Sequence, residues 1–319
     1  GAEISARNLI NYLLQKKHKL AIFTIANNNS KSINWPFTNG AMLYENTFSK
    51  WFHKKLLPGE LMSLFIEQIT NRNLNEICKN FEPDLIISQS NLLVPNRHCN
   101  AKKIFFAHDY GFGTTIGCTS LAKSILNTPF AYIRRRKIHE FDLIISVSYF
   151  MQNTLRKFNV NSEVIYPFVD FEKYFANEKS HENKIYITFI KPTRQKGIEI
   201  AIKIANQLPK RKILIVGPIA ADFKNSITKL QNITHIPWQN DMREVYRKTR
   251  VLIVPSIWEA SSCVVTEAGL NGIPIIASAR GGLIEKVGNG GILIKCIWNI
   301  NDWIQAIMTL DDKQTYSSY

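Results

Sequence analysis

Apolar residues in this chain fall into two alternating rhythms. Ala6, Leu9, Ile10, Leu13 and Leu14 recur at three- and four-residue intervals, the spacing that lines one helix face, and the compact apolar run Leu20 to Ile25 follows as a strand. Leu61, Leu64, Phe65 and Ile69 predict another helix. Phe81-Glu82-Pro83-Asp84 breaks the chain before the apolar run Leu85-Ile86-Ile87, and Lys103 to Ala107 and Leu143-Ile144-Ile145 are two more strands. Strands this short and apolar, separated by helices, are buried on both faces, which predicts an α/β fold of parallel sheets with helices on each side. Glu163 to Pro167 ends one strand series, Phe175 to Asn183 is polar and aperiodic, and Lys184 to Ile190 begins a second series. The expected division is therefore into domains 1–168 and 169–319.

Composition supports two cores and narrows the compartment. A chain of 319 residues with 45% apolar content can bury two of them, and no apolar run approaches the roughly 18 residues of a membrane span. Cys78, Cys99, Cys118, Cys263 and Cys296 are odd in number and lack a C-x-x-C pair, which argues against zinc and a disulfide framework and for a reducing, cytoplasmic setting. The net charge is +15, and 20 basic against 11 acidic residues lie before residue 169, so the N-terminal half is the more cationic. Such an excess attracts nucleic acid, an anionic bilayer or a phosphorylated acceptor, although an AT-rich genome that writes Lys and Asn accounts for it too. The densest run is Arg134-Arg135-Arg136-Lys137. As a helix it would carry charge on nearly every face, so it is not a clean amphipathic anchor. It reads either as a solvated surface or as a contact for lipid headgroups or an acceptor phosphate. No RNA-binding signature accompanies it, and nucleic acid is not expected.

The chemistry concentrates between Pro255 and Gly269. Glu259 and Glu267 stand eight positions apart just after an apolar strand, which puts Glu259 in the loop at the strand's C-terminal end and Glu267 in the following helix. At that junction the N–H groups of Ser261, Ser262 and Cys263 lack intrahelical acceptors and point, with the helix dipole, at whatever lies above the sheet. A diphosphate flanked by two sugars would use the amides and both carboxylates. Spacing alone allows two solvated glutamates equally well. Other segments fall in register with this one: Ile187 to Gly197, with its Lys196-Gly197 ending; Ile213 to Gly217; Asn271 to Ser278; and Gly281-Gly282-Leu283-Ile284-Glu285. Taken together they resemble the retaining GT-B glycosyltransferases of family 4.

That resemblance implies a GT-B fold, two Rossmann-like domains facing each other across a cleft, with the acceptor on the N-terminal domain and a nucleoside-diphosphate sugar on the C-terminal one. It implies catalytic roles for Glu259, beside the transferred sugar, for Lys196, on the donor diphosphate, and for His108, on the sugar or the acceptor hydroxyl. Donor-binding positions would be Lys191, Arg194, Lys196, Gly217, Trp238, Ser261, Ser262, Cys263 and Glu267, the last accepting from ribose hydroxyls. The family's arginine falls on Lys191, which keeps the charge without the bidentate fork, and Arg194 could serve instead. Ser262 replaces a usual glycine. Gly1 and Ala2 match the middle of an acceptor-side glycine loop whose preceding strand is missing, and the family's long closing C-terminal helices are not evident beyond the helix suggested by Trp303, Ile304, Ile307 and Met308. The tail from Asp311 to Tyr319 reads as polar. No cofactor or metal is expected, because lysines and a helix dipole would neutralise the diphosphate. The acceptor would be a glycan, a lipid-linked molecule or another acceptor, and the protein would be cytoplasmic, either free or peripheral on the inner face of a membrane. A nucleotide-sugar epimerase of the same architecture and a non-catalytic nucleotide-sugar or polyanion binder stay open as other readings.

Overall fold

The computed structural model describes residues 2–25, 41–46, 74–89, 99–108, 136–176 and 184–319. The chain forms two compact units: one comprises Ala2–Val147 and Met151–Ile165, and the other Ser148–Phe150 and Tyr166–Tyr319. The helix expected from Leu61 to Ile69 lies outside the described residues.

In the N-terminal unit, helix α1 (Ala2–Gln15) leads into β1 (Leu20–Ile25), which pairs in parallel with β2 (Ala41–Asn46). A second, fully parallel sheet has the order β3 (Leu85–Gln89), β4 (Lys102–Ala107), β5 (Leu143–Ser146) and β6 (Glu163–Val164). Helix α2 (Tyr149–Arg156) joins β5 to β6 and buries Met151 and Leu155. Asp142, just before β5, accepts from Lys103 N at 2.8 Å and from Lys102 Nζ at 3.1 Å, which fixes the start of β5 to β4.

The C-terminal unit has a six-stranded sheet, parallel throughout, in the order β12 (Gly291–Ile294), β11 (Ile275–Ser278), β10 (Thr249–Val254), β7 (Tyr186–Ile190), β8 (Lys212–Val216), β9 (Ile233–Ile236). Alternation along the strands divides the core. Ile213, Ile215, Val251 and Ile253 pack on one face, under α4 (Ile198–Gln207) and α9 (Ile300–Thr309). Leu214, Val216, Leu252 and Val254 pack on the other, under α6 (Arg243–Lys248), α7 (Cys263–Leu270) and α8 (Leu283–Val287). Helix α5 (Ala221–Thr228) adds Phe223 and Ile227 to the first face. The chain runs β7, β8, β9 in one direction and then returns to lay β10 on the other side of β7. Such a reversal opens a crevice at the strands' C-terminal ends, where open α/β sheets bind ligands.

Two stretches are more ordered than their composition suggests. The start of the expected polar boundary is packed: Asp170 caps α3 (Phe171–Tyr174), and Tyr174 and Ala176 are buried against the second face. Asn271 holds them there, accepting from Ala176 N at 2.7 Å and donating to Tyr174 O at 2.9 Å. The polar tail is also docked. Asp312 caps α10 (Lys313–Ser317), Tyr316 Oη donates to Arg250 O at 2.9 Å, and the Arg250 guanidinium lies 4.7 Å from the Tyr316 ring centroid.

Glu285, the last residue of the Gly-Gly segment, binds the first residues of α2, Tyr149 and Phe150, which belong to the same unit as Glu285. It accepts from Tyr149 N and Phe150 N, at 3.1 Å each, and from Tyr166 Oη at 3.1 Å. A carboxylate on the first amides of α2 satisfies donors that have no intrahelical partner and complements the helix dipole.

Candidate active site

Two loops, one after β7 and one after β10, build the centre of the site. Lys191 leaves β7 with φ of 63°, a left-handed conformation uncommon outside glycine, and its N–H donates to Val216 O at 2.9 Å. The turn closes at Gly197, where φ is 84° and an added Cβ would lie 2.1 Å from Pro255 O. Only glycine permits that approach. Ile257 N donates to Gln195 O at 2.9 Å, a second tie between the loops. The consequence is an ion pair between Lys196 Nζ and Glu259 Oε2, with Ser256 Oγ 3.4 Å from the same oxygen. Lys196 therefore has an anion of its own chain as partner, which spacing could not show.

Glu259 is largely buried, at 8% exposure, and its loop is clasped from the far side. Gly282 N donates to Glu259 O at 2.8 Å, and a Cβ on Gly281 or Gly282 would lie 2.1 Å from Glu259 O or 1.9 Å from Ala260 O. Past this loop Ser262 caps α7 in an extended conformation, φ −97°, with no side-chain capping bond. That conformation suits any residue, so serine in place of glycine costs the backbone nothing. The first N–H groups of α7, from Cys263 onward, have no intrahelical acceptor and carry the positive end of the dipole. Ser261 Oγ is buried with no hydrogen-bond partner among the described residues. Burial raises the Cys263 thiol above its ordinary value, so it is no thiolate nucleophile.

Glu267 lies inside α7 at 3% exposure and accepts from the Tyr246 hydroxyl. Burial raises its pKa, and the tyrosine hydrogen bond opposes that shift. Gly217, with φ of 117°, follows β8; His235 Nε2 donates to its carbonyl at 2.8 Å, and Trp238, half exposed, has its ring 3.6 Å from where a Gly217 Cβ would stand.

Arg194 is not turned to this centre. Its guanidinium pairs with Glu199 and Asp222 and stacks 4.6 Å from the Phe223 ring, on the helices of the first face. Of the two cations left open by the sequence, both exposed, Lys191 has no ion pair among the described residues.

In the N-terminal unit, His108 follows β4, and its Nε2 donates to Gln89 Oε1 at 3.1 Å, at the end of the neighbouring strand β3. Burial lowers its pKa to about 4, so it is neutral and Nδ1 is left as an acceptor. Gly1, Arg134 and Arg135 lie outside the described residues. Ala2 opens α1, Arg136 is exposed, and Arg136 and Lys137 begin a short helical turn. Among the described residues no three His, Cys, Asp or Glu are grouped to hold a metal ion, and no helix is long and apolar enough to cross a membrane. Sequence reasoning missed Tyr246, Ser256 and Gln89. Tyr246 and Gln89 meet partners 21 and 19 residues away, whereas Ser256 stands three residues before Glu259; Gly197 and Gly281-Gly282 were the local hints of close backbone approach.

Comparison with known proteins agrees with this architecture. The model of Glycosyltransferase Family 4 matches residues 1–173, and that of Glycosyl transferases group 1 matches residues 170–317. The chain is 29% identical over 201 residues to an uncharacterized 41.2 kDa protein in the cps region of Klebsiella pneumoniae, covering 57% of this chain and 54% of that protein. It is 26% identical over 170 residues to a D-inositol 3-phosphate glycosyltransferase of Mycobacteroides abscessus, covering 46% of this chain and 38% of that one. The matches thus span about half or less of those relatives' length. Among solved structures, sucrose-phosphate synthase from Thermosynechococcus elongatus superposes with a TM-score of 0.79 at 18% identity, over all of this chain and 86% of that one. HepE from Anabaena, in complex with UDP and glucose, gives 0.66 at 16% identity over 94% of this chain and 91% of that one. The fold is GT-B, and the chain belongs to glycosyltransferase family 4.

Proposed function

We propose that the protein is a retaining, metal-independent glycosyltransferase that moves a hexose-type sugar from a nucleoside-diphosphate sugar to an acceptor hydroxyl. The observation that carries this reading is the Lys196–Glu259 pair beside the start of α7, at the crevice where β7 and β10 part. Cation, carboxylate and helix amides stand at the position where α/β sheets take ligands. The donor diphosphate would displace Glu259 from Lys196 and gain the α7 amides, with Lys191 as a second cation. Glu259 would then face the sugar hydroxyls, and Glu267 the ribose.

In the transfer, the bond from the sugar's anomeric carbon to the diphosphate breaks, and the diphosphate leaves with the electron pair. The acceptor oxygen bonds to that carbon on the same face, and its proton passes to the departing phosphate oxygen. The protein's contribution is electrostatic, since charge develops on the leaving group where Lys196 and the helix terminus are fixed in advance. Neutral His108 would accept a hydroxyl hydrogen bond from sugar or acceptor through Nδ1. HepE supports a nucleotide site of this kind, because its structure holds UDP and glucose.

The test is a donor screen. The protein is incubated with UDP-, GDP- and ADP-sugars, alone and with acceptor glycans or lipids, while nucleotide release and the product's anomeric configuration are followed. Acceptor-dependent release with retained configuration is expected. Release with an inverted product contradicts the retaining mechanism, and an altered sugar nucleotide formed without acceptor assigns an epimerase instead.

On the acceptor side, the cationic N-terminal half supports an anionic acceptor or membrane surface. The Mycobacteroides relative carries the name of such an anion, as a D-inositol 3-phosphate glycosyltransferase. Electrostatic attachment to anionic lipid is worth about 1 kcal/mol per basic residue near the surface and weakens with salt. The protein should sediment with phosphatidylserine vesicles at low salt and release at high salt, and joint replacement of Arg134, Arg135 and Arg136 should weaken this. Equal binding to neutral vesicles contradicts it.

A further inference from the structure

We infer that Tyr246 is a positioning residue for the nucleotide ribose: its hydroxyl holds the Glu267 carboxylate in the orientation that accepts from ribose hydroxyls, and so sets selectivity for ribose over deoxyribose. The inference rests on the reading of Glu267 as a donor-binding residue.

Tyr246 sits on α6 with none of its surface exposed, so it reaches a ligand only through a neighbour. Its hydroxyl donates to Glu267 Oε2. Both partners are fixed by the fold. The end of α6 is tied down by Thr249 Oγ1, which donates to Val245 O at 2.7 Å and lies 2.8 Å from Thr188 Oγ1 of β7. Glu267 is held through its backbone, because Asn271 Nδ2 donates to its carbonyl at 2.7 Å while also bonding Tyr174 O. With the backbone held and Oε2 bonded to Tyr246, the carboxylate's rotation is restrained and Oε1 is the oxygen that would accept from a ligand.

A buried carboxylate is costly unless hydrogen-bonded. The tyrosine supplies one donor inside the protein, and a ribose diol would supply the next. Removing the tyrosine hydroxyl would leave Glu267 with rotational freedom and a stronger tendency to take up a proton, and a protonated carboxyl is the poorer acceptor for a diol. Tyr246 carries no direct contact in this account. Its effect must therefore vanish when either Glu267 or the ribose hydroxyls are removed.

The experiment is a cycle over protein and ligand. Calorimetry measures binding of UDP, ADP and GDP and of their 2′,3′-dideoxy forms to the wild type, Tyr246→Phe, Glu267→Gln and the double variant, and initial rates give kcat and KM with the corresponding sugar nucleotides. For the base that binds best, the wild type should prefer the ribose form by about tenfold or more, the range of a hydrogen bond to a charged group. Tyr246→Phe should narrow that preference to about threefold or less and raise the donor KM while kcat changes little. In the Glu267→Gln background the same change should add nothing. The double variant removes the hydroxyl and the buried charge together, so it reports even where Tyr246→Phe folds poorly. A wild-type preference that Tyr246→Phe leaves intact, or a further loss in the double variant beyond Glu267→Gln, overturns the role of Tyr246 alone. A wild type indifferent to the ribose hydroxyls overturns the reading of Glu267, and the inference with it.

Discussion

Replacing Gly197 by alanine should separate the site's architecture from its charges. At φ of 84°, an L-residue pays about 1–2 kcal/mol for the left-handed backbone. The new Cβ would also stand 2.1 Å from Pro255 O and 2.8 Å from Pro255 C, far inside the 3.4 Å at which ordinary contact begins, and both are backbone atoms that no rotamer change moves aside. Overpacking of that kind adds about 1–3 kcal/mol, so Gly197→Ala should destabilise the C-terminal unit by about 2–5 kcal/mol. Gly272 is the internal control, with φ of 58° and nothing within 4 Å of its Cβ position, so Gly272→Ala should cost only the backbone strain of about 1–2 kcal/mol. Urea unfolding followed by tryptophan fluorescence suits the purpose, because Trp238, Trp258, Trp298 and Trp303, four of the six tryptophans, lie in that unit. Relief of the clash requires the Lys196 loop to move from the Pro255 loop, so Gly197→Ala should also weaken nucleoside diphosphate binding while Gly272→Ala leaves it alone. Equal destabilisation by the two variants, with diphosphate binding intact in both, refutes the coupling of the two loops.

Lys196→Ala should weaken nucleoside diphosphate binding by about 1.5–3 kcal/mol, read by calorimetry, and lower the melting temperature as well because Glu259 loses its buried partner. Glu259→Gln should cut kcat while leaving diphosphate affinity equal or tighter, since Lys196 no longer has a competing carboxylate; a large loss of affinity in steady-state inhibition contradicts that division. His108, neutral in the folded protein and with a folded pKa lowered to about 4, contributes nothing to pH dependence above its unfolded value near 6.5. Below it the unfolded chain takes up the proton first, so stability falls between about pH 6.5 and 4 by up to about 3 kcal/mol, and His108→Gln should flatten that part of the melting profile. Activity should persist in excess EDTA, and a loss restored by magnesium or manganese would contradict the proposed charge neutralisation.

The layered α/β fold was legible because the strands are short apolar runs beside breakers, fully buried in Ile213 to Val216 and more exposed in Leu85-Ile86-Ile87. The placement of Glu259 in a loop and Glu267 in a helix was legible from their spacing after β10. What was hidden is held by contacts between distant residues. Composition marks Phe175 to Asn183 as polar, yet Asn271, 95 residues beyond Ala176, holds Ala176 and the preceding Tyr174 in the core. The same limit applies to Arg194, whose guanidinium reaches Asp222, 28 residues on, and to Tyr246, whose hydroxyl meets Glu267, 21 residues on. The tail after Asp311 lacks apolar periodicity because it docks through one aromatic ring and a capped turn rather than through a buried face.

The most direct test of the donor site is a crystal structure of the protein with a bound nucleoside diphosphate from the donor screen. The account predicts diphosphate oxygens within hydrogen-bond distance of Lys196 Nζ and of the first amides of α7, with Glu259 released from the lysine and Glu267 facing the ribose. A diphosphate bound elsewhere, with the Lys196–Glu259 pair undisturbed, would contradict it.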